Sequence, residues 1–276
     1  MTTNATTTFR ALHQPGNPLL LPNAWDHATA SALVAAGFPA IGTTSLGVAA
    51  THGIPDAHGL ARHETLALTH RLTTLPCLVT VDIEAGFSDD PGEVADLAAQ
   101  LHAAGAVGIN IEDGRHDHTL ATIDHQADLI HAIKAHTPDL FVNARTDTYW
   151  LATGDLTATI TRAERYLDAG ADGIFVPGIA DDEDITTVVS AIDAPVNVLY
   201  LPARHTTARL ADLGVSRIST GSLLFRAALH TVTELAEAIR AGRPTSVNAP
   251  SYDDIQKALL ANTKGRTTKE QRPHTS

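Results

Sequence analysis

The sequence repeats one unit four times: a helical stretch that ends at a glycine, followed closely by a short apolar strand. Glycine just past a helix accepts the left-handed backbone conformation that ends many helices. Short apolar strands are typical of a parallel sheet whose faces are covered by helices. The repeat predicts an α/β fold, and the four units lie at residues 33–43, 101–111, 167–176 and 210–219.

Four more predicted strands lie between these units, which makes eight strands in all. They cover residues 19–25, 78–85, 140–146 and 196–201. Helices are predicted at residues 63–72, 91–104, 123–135, 156–169, 181–192 and 222–241. Strict alternation of strand and helix over about 220–250 residues predicts a (β/α)₈ TIM barrel. An open doubly wound sheet is the alternative, but no GxGxxG motif follows the first strand.

The 276-residue chain divides into three parts on this pattern. Residues 1–17 form a polar N-terminal segment, and residues 18–243 contain the barrel. Residues 244–276 are expected to contain a short helix, from Tyr252 to Ala261, and a polar, disordered tail from Thr263 to Ser276.

Composition excludes several classes of function. A formal net charge of −12 argues against nucleic-acid binding, which requires a basic surface. No apolar run approaches the ~18–20 residues of a membrane helix, and the N-terminus does not have the pattern of a signal peptide. Cys77 is the only cysteine, so an intramolecular disulfide and a cysteine metal site are both excluded. We therefore expect a cytoplasmic protein.

Two carboxylates stand at the end of the third predicted strand. Asp82 and Glu84 are two residues apart, and alternate side chains of a strand share one face. Neighbouring acids repel each other, and a cation between them is the simplest compensation. Hard oxygen ligands suit Mg²⁺, and Mn²⁺ is also possible. The alternative is a strand that runs into a solvated acidic loop.

Other polar residues end neighbouring strands, and in a barrel of this kind the carboxyl ends of the strands form the active site. Glu112 ends the fourth strand, and Asn143, Arg145 and Asp147 share one face of the fifth. We expect Asn143 to contact a substrate because it lies on the face of Arg145.

A metal ion and an arginine at one site together predict the type of reaction. Asp82, Glu84 and Glu112 are predicted to hold a divalent cation, partly through water, and Arg145 to bind a substrate carboxylate. Such a pair binds an α-keto acid and stabilises charge on its oxygen as an enolate forms. The alternative is that Arg145 pairs with Asp147 or Glu112 in a structural ion-pair network.

The chain resembles the isocitrate lyase/phosphoenolpyruvate mutase superfamily over about residues 18–242. The resemblance implies cleavage or formation of a C–C or P–C bond next to a 2-oxo acid, through an enolate and with Mg²⁺. The matching stretches are Pro22-Asn-Ala-Trp-Asp26, Thr44-Ser-Leu-Gly-Val-Ala-Ala50, Gly53-Ile-Pro-Asp56, Val81-Asp-Ile-Glu-Ala-Gly-Phe87, Asn110-Ile-Glu-Asp113 and Asn143-Ala-Arg-Thr-Asp147.

The resemblance also implies roles for individual residues. Asp82 would be the most direct metal ligand, and Asp56, Glu84 and Glu112 would support the ion through its waters. Arg145 would bind the substrate, with Asp56 and Glu112 taking part in catalysis. Further contacts to substrate would come from Thr44, Ser45 and Leu46. Members usually form dimers or tetramers that exchange the last helix, which here lies in the region from Ser222 onward.

The sequence departs from well-known members where they carry their acid/base group. No Lys-Lys/Arg-Cys-Gly-His or Lys-Thr-Asn-Ser loop follows Glu112. Gly178 replaces a glutamate, and Gly42 replaces a tyrosine. His116 and His118 are candidates for the missing proton transfer, because histidine titrates near neutral pH. The alternative is that they are solvated loop residues in a chain with fifteen histidines.

We therefore predict a Mg²⁺-dependent lyase of a small 2-oxo or 2-hydroxy carboxylate. The reaction would be C–C cleavage or decarboxylation through a pyruvate-type enolate, and the short loop after the fourth strand suits decarboxylation. One alternative is a mutase or hydrolase of phosphonate P–C bonds. Another is a barrel that binds a metabolite without turnover.

Overall fold

The computed structural model describes residues 2–247 and 249–259, and it confirms the predicted (β/α)₈ barrel. Nine parallel strands form one sheet, in the order β1-β9-β8-β7-β6-β5-β4-β3-β2. The strands are β1 (Leu19–Leu21), β2 (Asn23–Ala24), β3 (Ala40–Thr43), β4 (Leu78–Asp82), β5 (Gly108–Glu112), β6 (Phe141–Arg145), β7 (Gly173–Val176), β8 (Val196–Leu199) and β9 (Arg217–Ser219).

Helices alternate with these strands and cover the outside of the barrel. They are α1 (Thr2–Ala11), α2 (His27–Ala35), α3 (Ser45–Thr51), α4 (Arg62–Leu72), α5 (Pro91–Ala103), α6 (Ile123–His136), α7 (Leu156–Asp168), α8 (Asp182–Ala191), α9 (Thr207–Asp212) and α10 (Leu223–Arg240). Several begin where a side chain satisfies a free backbone N–H. Asp90, Asp155 and Asp181 each accept such a bond, at 2.8–3.0 Å.

The first predicted strand is split in two at Pro22, which explains the count of nine. Proline has no N–H to give to a strand ladder. As a result β1 pairs with β9, whereas β2 pairs with β3. Asn23 then fastens the seam: its Oδ1 accepts from the backbone N–H groups of Thr220 and Gly221, and its Nδ2 donates to Thr43 O at 2.7 Å. Backbone bonds cross the same seam, from Thr220 N to Leu21 O and from Gly42 N to Pro22 O, so the Asn23 side chain is one of several contacts that close the barrel.

Helix α1 covers the amino ends of the strands and was not predicted from the sequence. Phe9 is fully buried and packs edge-to-face on Phe141, with ring centroids 5.4 Å apart. His13 stacks on the same ring at 4.6 Å. A Thr-rich segment has weak helix propensity, so burial of Phe9 supplies the stability that the local sequence does not.

The barrel interior carries a polar layer, although such interiors are usually filled by branched apolar side chains. Arg217 is fully buried in this layer, where Nη2 donates to Asn110 Oδ1 and Nε donates to Ser219 Oγ, both at 3.2 Å. Asn143 Nδ2 donates to the same Asn110 oxygen at 2.9 Å. Burial lowers the pKa of Arg217 to about 9.

Helix α10 leaves most of its surface exposed, since Phe225 is its one buried residue. Leu229, Val232 and Ile239 are each more than half exposed. Residues 252–259 are helical, and the predicted tail from Thr263 to Ser276 lies outside the described residues. Within the described part of the chain, no helix is both long and apolar enough to cross a membrane.

Candidate active site

A cavity of about 290 Å³ opens at the carboxyl ends of the strands. It is the site that the strand-end argument predicted. Most of the predicted site residues line it, although they come from distant parts of the sequence. These residues are Thr44, Ser45, Leu46, Asp56, Asp82, Glu112, His116, His118, Arg145 and Asp147.

Asp82 is the last residue of β4 and is held from three sides. Its backbone N–H donates to Thr43 Oγ1 at 2.8 Å. Its carboxylate accepts the backbone N–H groups of Glu84 at 3.2 Å and of Ser45 at 3.4 Å. Burial raises the pKa of Asp82, and the charge of Arg145 opposes that rise. The strand therefore presents a fixed carboxylate to the cavity.

Glu84 does not share the face of Asp82, so the alternation argument was wrong at this point. β4 ends at Asp82 and does not continue to Ala85, and Glu84 has a left-handed backbone with φ of 50°. Its Oε2 accepts the N–H of Gly59 at 3.0 Å, and Glu84 is not among the cavity-lining residues. Alternation holds only while the backbone stays extended. Glu84 instead ties the loop after α3 to the strand end.

Arg145 is the centre of an ion-pair network. Its Nη1 lies 2.5 Å from Glu112 Oε2, and its Nε donates to Asp147 Oδ1 at 2.6 Å. The guanidinium also lies 5.7 Å from the centroid of Phe175 and 6.0 Å from that of Trp150. The predicted structural pairing is thus present, and it places Arg145 on the cavity wall.

Burial dominates the electrostatics of these groups. It raises the pKa of Glu112 well above its usual value and raises that of Asp147 as well, while Arg145 opposes both shifts. Burial alone would lower the pKa of Arg145, but Glu112, Asp147 and Asp82 raise it above its usual value. The cluster therefore concentrates more negative charge than one guanidinium can balance.

Asn143 does not line the cavity, contrary to the expected substrate contact. It is buried one layer below, where its amide donates to Asn110. Asn110 does line the cavity. The side chain that shares a strand face with Arg145 thus supports the floor of the cavity from beneath, because the barrel stacks successive inward residues in layers.

The loop after β5 brings His116 and His118 to the cavity. It folds back on itself through a bridge between Gly114 and Leu120. The ring of His116 lies against His58, with centroids 5.0 Å apart. Both predicted histidines therefore line the cavity.

Some cavity residues were missed by the sequence argument, which examined only the second to fifth strands. Phe175, Leu199 and Ser219 end or nearly end the later strands, so the same rule would have found them. Asn110 lies on β5, a strand that the argument did examine, and the remaining residues lie outside the strands and carried no sequence signal. The missed residues include Asn110, Arg115, Trp150, Leu151, Phe175, Pro177, Leu199, Ser219 and Ser222.

The donor set fits a hydrated divalent cation. Asp56 Oδ1 and Glu84 Oε1 are buried carboxylate oxygens without a hydrogen-bond partner among the described residues. No group of three or more His, Cys, Asp or Glu side chains in residues 2–247 and 249–259 is arranged to hold an ion directly. Mg²⁺ is usually bound through one or two carboxylates and keeps several waters. Asp82 as direct ligand, with the other acids reached through water, matches that preference.

Comparison with known proteins assigns the family. The family model described as phosphoenolpyruvate phosphomutase matches residues 9–240. The chain belongs to the isocitrate lyase/phosphoenolpyruvate mutase superfamily. An uncharacterized protein of Mycobacterium tuberculosis strain H37Rv is 45% identical over 253 residues, which is 91% of this chain and 96% of that protein. The 2-methylisocitrate lyase of Escherichia coli K12 is 32% identical over 202 residues, covering 68% of this chain and 67% of the lyase.

The fold of this superfamily member also matches solved structures. A crystal structure of phosphonopyruvate hydrolase in complex with oxalate and Mg²⁺ superposes with a TM-score of 0.81. The match covers 97% of this chain and 99% of the hydrolase chain, at 24% sequence identity. At that identity the match supports the fold alone.

Gly42 and Gly178, which the sequence analysis set against larger residues of the well-known lyases, are both crowded by their neighbours. A Cβ at Gly42 would lie 2.7 Å from Asn23 Nδ2, so the amide that helps to close the barrel takes the space of a side chain there. A Cβ at Gly178 would lie 3.2 Å from backbone atoms of Tyr149 and Trp150, and its φ is +85°. Both positions are closed to larger residues by their present neighbours.

Glu84→Gln should stabilise the metal-free protein at about pH 8 by about 1–3 kcal/mol. Burial raises the pKa of Glu84 from 4.5 to about 7. Between these values the folded protein holds a proton that the unfolded chain releases, so stability falls as pH rises and stays low above 7. Urea unfolding with a chelator at about pH 5 and pH 8 measures the difference.

The exposed Glu164→Gln on α7 is the matched control and should leave stability unchanged at both pH values. A Glu84→Gln protein that is less stable than wild type at about pH 8 contradicts the raised pKa of Glu84.

Proposed function

We propose that the protein is a Mg²⁺-dependent carbon–carbon lyase of a small 2-oxo or 2-hydroxy carboxylate. The reaction is C–C cleavage or decarboxylation, and it proceeds through a pyruvate-type enolate. The observation that carries the proposal is the placement of Asp82 and Arg145 on one cavity, beside Asp56 and Glu112. An acidic edge suits the cation, and a guanidinium suits the substrate carboxylate.

Mg²⁺ at this edge would stabilise the negative charge that develops on a substrate oxygen. Asp82 would hold the ion, and Asp56, Glu84 and Glu112 would orient its waters. Mn²⁺ can replace Mg²⁺, since both prefer carboxylate and water ligands. The substrate carboxylate would accept from Arg145 and from the hydroxyl groups of Thr44 and Ser45, and Leu46 would pack against it.

Asp82→Asn should abolish metal-dependent turnover, with a loss of at least ~10³-fold, because an amide of the same shape carries no charge for the cation. The assay is release of pyruvate from oxaloacetate, 2-methylisocitrate and 2,3-dimethylmalate with Mg²⁺ or Mn²⁺. Asp96→Asn, an exposed change on α5, is the control. The lyase proposal fails if the wild-type protein turns over none of these acids.

Phosphonopyruvate belongs in the same assay because P–C chemistry is the second candidate, supported by the phosphoenolpyruvate phosphomutase family match. Release of phosphate or formation of phosphoenolpyruvate from it would favour that candidate. Tight, Mg²⁺-dependent oxalate binding without turnover of any acid would favour a binding protein.

We propose His116 as the group that transfers the proton. It lines the cavity, and the chain carries no cysteine loop there. His116→Gln should lower kcat by about 10²–10⁴-fold and remove one limb of the pH–rate profile. The exposed His131→Gln on α6 serves as the control. An unchanged rate and profile would show that His116 only lines the loop.

We also propose that α10 packs against a second copy of the chain, in a homodimer or homotetramer. Exposed Leu229, Val232 and Ile239 form an apolar surface on a helix that the barrel leaves uncovered. Apolar surface of this kind marks an interaction site. Tyr252 and Ile255, in residues 252–259, are exposed as well.

Leu229→Asp with Val232→Asp should reduce the particle to the mass of one chain, because two charges would be buried in the interface. Light scattering after size-exclusion chromatography measures the mass. Leu60→Asp, at an exposed leucine outside α10, controls for the added charge. A wild-type protein with the mass of one chain would end the proposal.

A further inference from the structure

Two guanidiniums line the cavity, and they differ in what already holds them. Arg145 is paired with Glu112 and Asp147. Arg115 makes no ion pair with any residue that the structure describes. Its Nη2 is buried and has no hydrogen-bond partner among the described residues. A buried charged donor without an acceptor is costly, and an acceptor supplied by a ligand removes that cost.

Arg115 is also held in place before any ligand arrives. Its Nη1 donates to the backbone oxygens of Glu112 at 3.3 Å and of Gly114 at 3.1 Å. Its backbone N–H donates to Thr119 O at 2.9 Å, and its carbonyl accepts from His118 N at 3.0 Å. The nearest acid in its loop, Asp117, is exposed and bonded to Thr119. One edge of the guanidinium is thus fixed, and the other remains available.

We propose that Arg115 binds a second anionic group of the substrate, a carboxylate or a phosphonate, remote from the 2-oxo or 2-hydroxy acid end. The inference rests on the proposed function, in which Arg145 and the cation hold that acid end. The cavity wall carries Asp56, Asp82, Glu112 and Asp147, so a second negative charge would be repelled without a cation of its own. The guanidinium of Arg115 supplies that positive charge, and a guanidinium binds a carboxylate or a phosphonate bidentately.

Neighbouring residues add to the same subsite. His116 and His118 follow Arg115 in the loop and line the cavity, and His58 contacts His116. Their ring N–H groups are donors that an anion accepts. Arg115 is therefore a residue that selects dianionic substrates over monoanionic ones of the same length.

Calorimetric titration of the full-length protein, with and without Mg²⁺, tests this with four small acids. Malate carries a second carboxylate, and 2-hydroxybutyrate has a methyl group in its place. Phosphonopyruvate carries the phosphonate, and oxalate has two adjacent carboxylates with no anionic group remote from them. Arg115→Gln should weaken the binding of malate or phosphonopyruvate by about 10- to 100-fold. It should change the affinity for 2-hydroxybutyrate and oxalate by less than about twofold. A larger loss of affinity for malate identifies the bound group as a carboxylate, and a larger loss for phosphonopyruvate identifies it as a phosphonate.

Two further variants separate charge from structure. Arg115→Lys keeps the charge but lacks the planar guanidinium. Its affinity for malate or phosphonopyruvate should lie between those of wild type and Arg115→Gln. Arg209→Gln removes an exposed surface arginine that pairs with Asp182, and it should change no titration. Unfolding midpoints of all three variants establish that each is folded.

The proposal is overturned if Arg115→Gln weakens all four probes alike, or none of them. It is also overturned if wild type binds malate and phosphonopyruvate no more tightly than 2-hydroxybutyrate. Failure of the proposed function looks different: oxalate binding then shows no dependence on Mg²⁺, while the malate and 2-hydroxybutyrate titrations without Mg²⁺ still decide the role of Arg115.

Discussion

The structure depends on one electrostatic constraint: several carboxylates converge at the barrel mouth around a single paired guanidinium. Parallel strands bring their carboxyl ends to one edge, so Asp82, Glu112 and Asp147 meet whether or not their charges agree. Arg145 lies between Glu112 and Asp147 and reduces their repulsion. The pKa values of Asp82, Glu112 and Asp147 are all raised by burial even so. A cation bound among these carboxylates would reduce their mutual repulsion.

A second layer holds the first in position. Asp113 is fully buried and accepts the backbone N–H of Asp147 at 2.8 Å, while its other oxygen accepts from Tyr166 and Arg162. Below the cavity floor, Arg217 and Asn143 both donate to Asn110. Buried polar groups fix geometry because each must find its partners. The polar interior therefore orients the mouth rather than merely filling space, and this is why it departs from an apolar barrel core.

Sequence reasoning recovered what depends on periodicity and failed where a single backbone angle decides. Eight βα units, the helix caps and the convergence of strand ends follow from local patterns. Pro22 divides the first strand because it lacks one N–H, which the strand pattern does not reveal. Glu84 leaves the face of Asp82 because its φ is positive, a conformation that glutamate seldom adopts and that tertiary contacts impose. Helix α1 forms because Phe9 packs on Phe141, which lies more than a hundred residues away in the sequence.

The same logic explains what the superfamily resemblance transfers and what it does not. Residues on strand ends are fixed by the barrel, so the acidic edge and Arg145 persist in this chain. Two glycines are crowded by their neighbours in this chain: Asn23 on β2 occupies the space beside Gly42 on β3, and the backbone of Trp150 lies against Gly178. Restoring a tyrosine or a glutamate at these positions would displace the groups that close the barrel and shape the cavity. On the proposal made for Arg115, substrate choice would rest with the loop that carries Arg115 and His116.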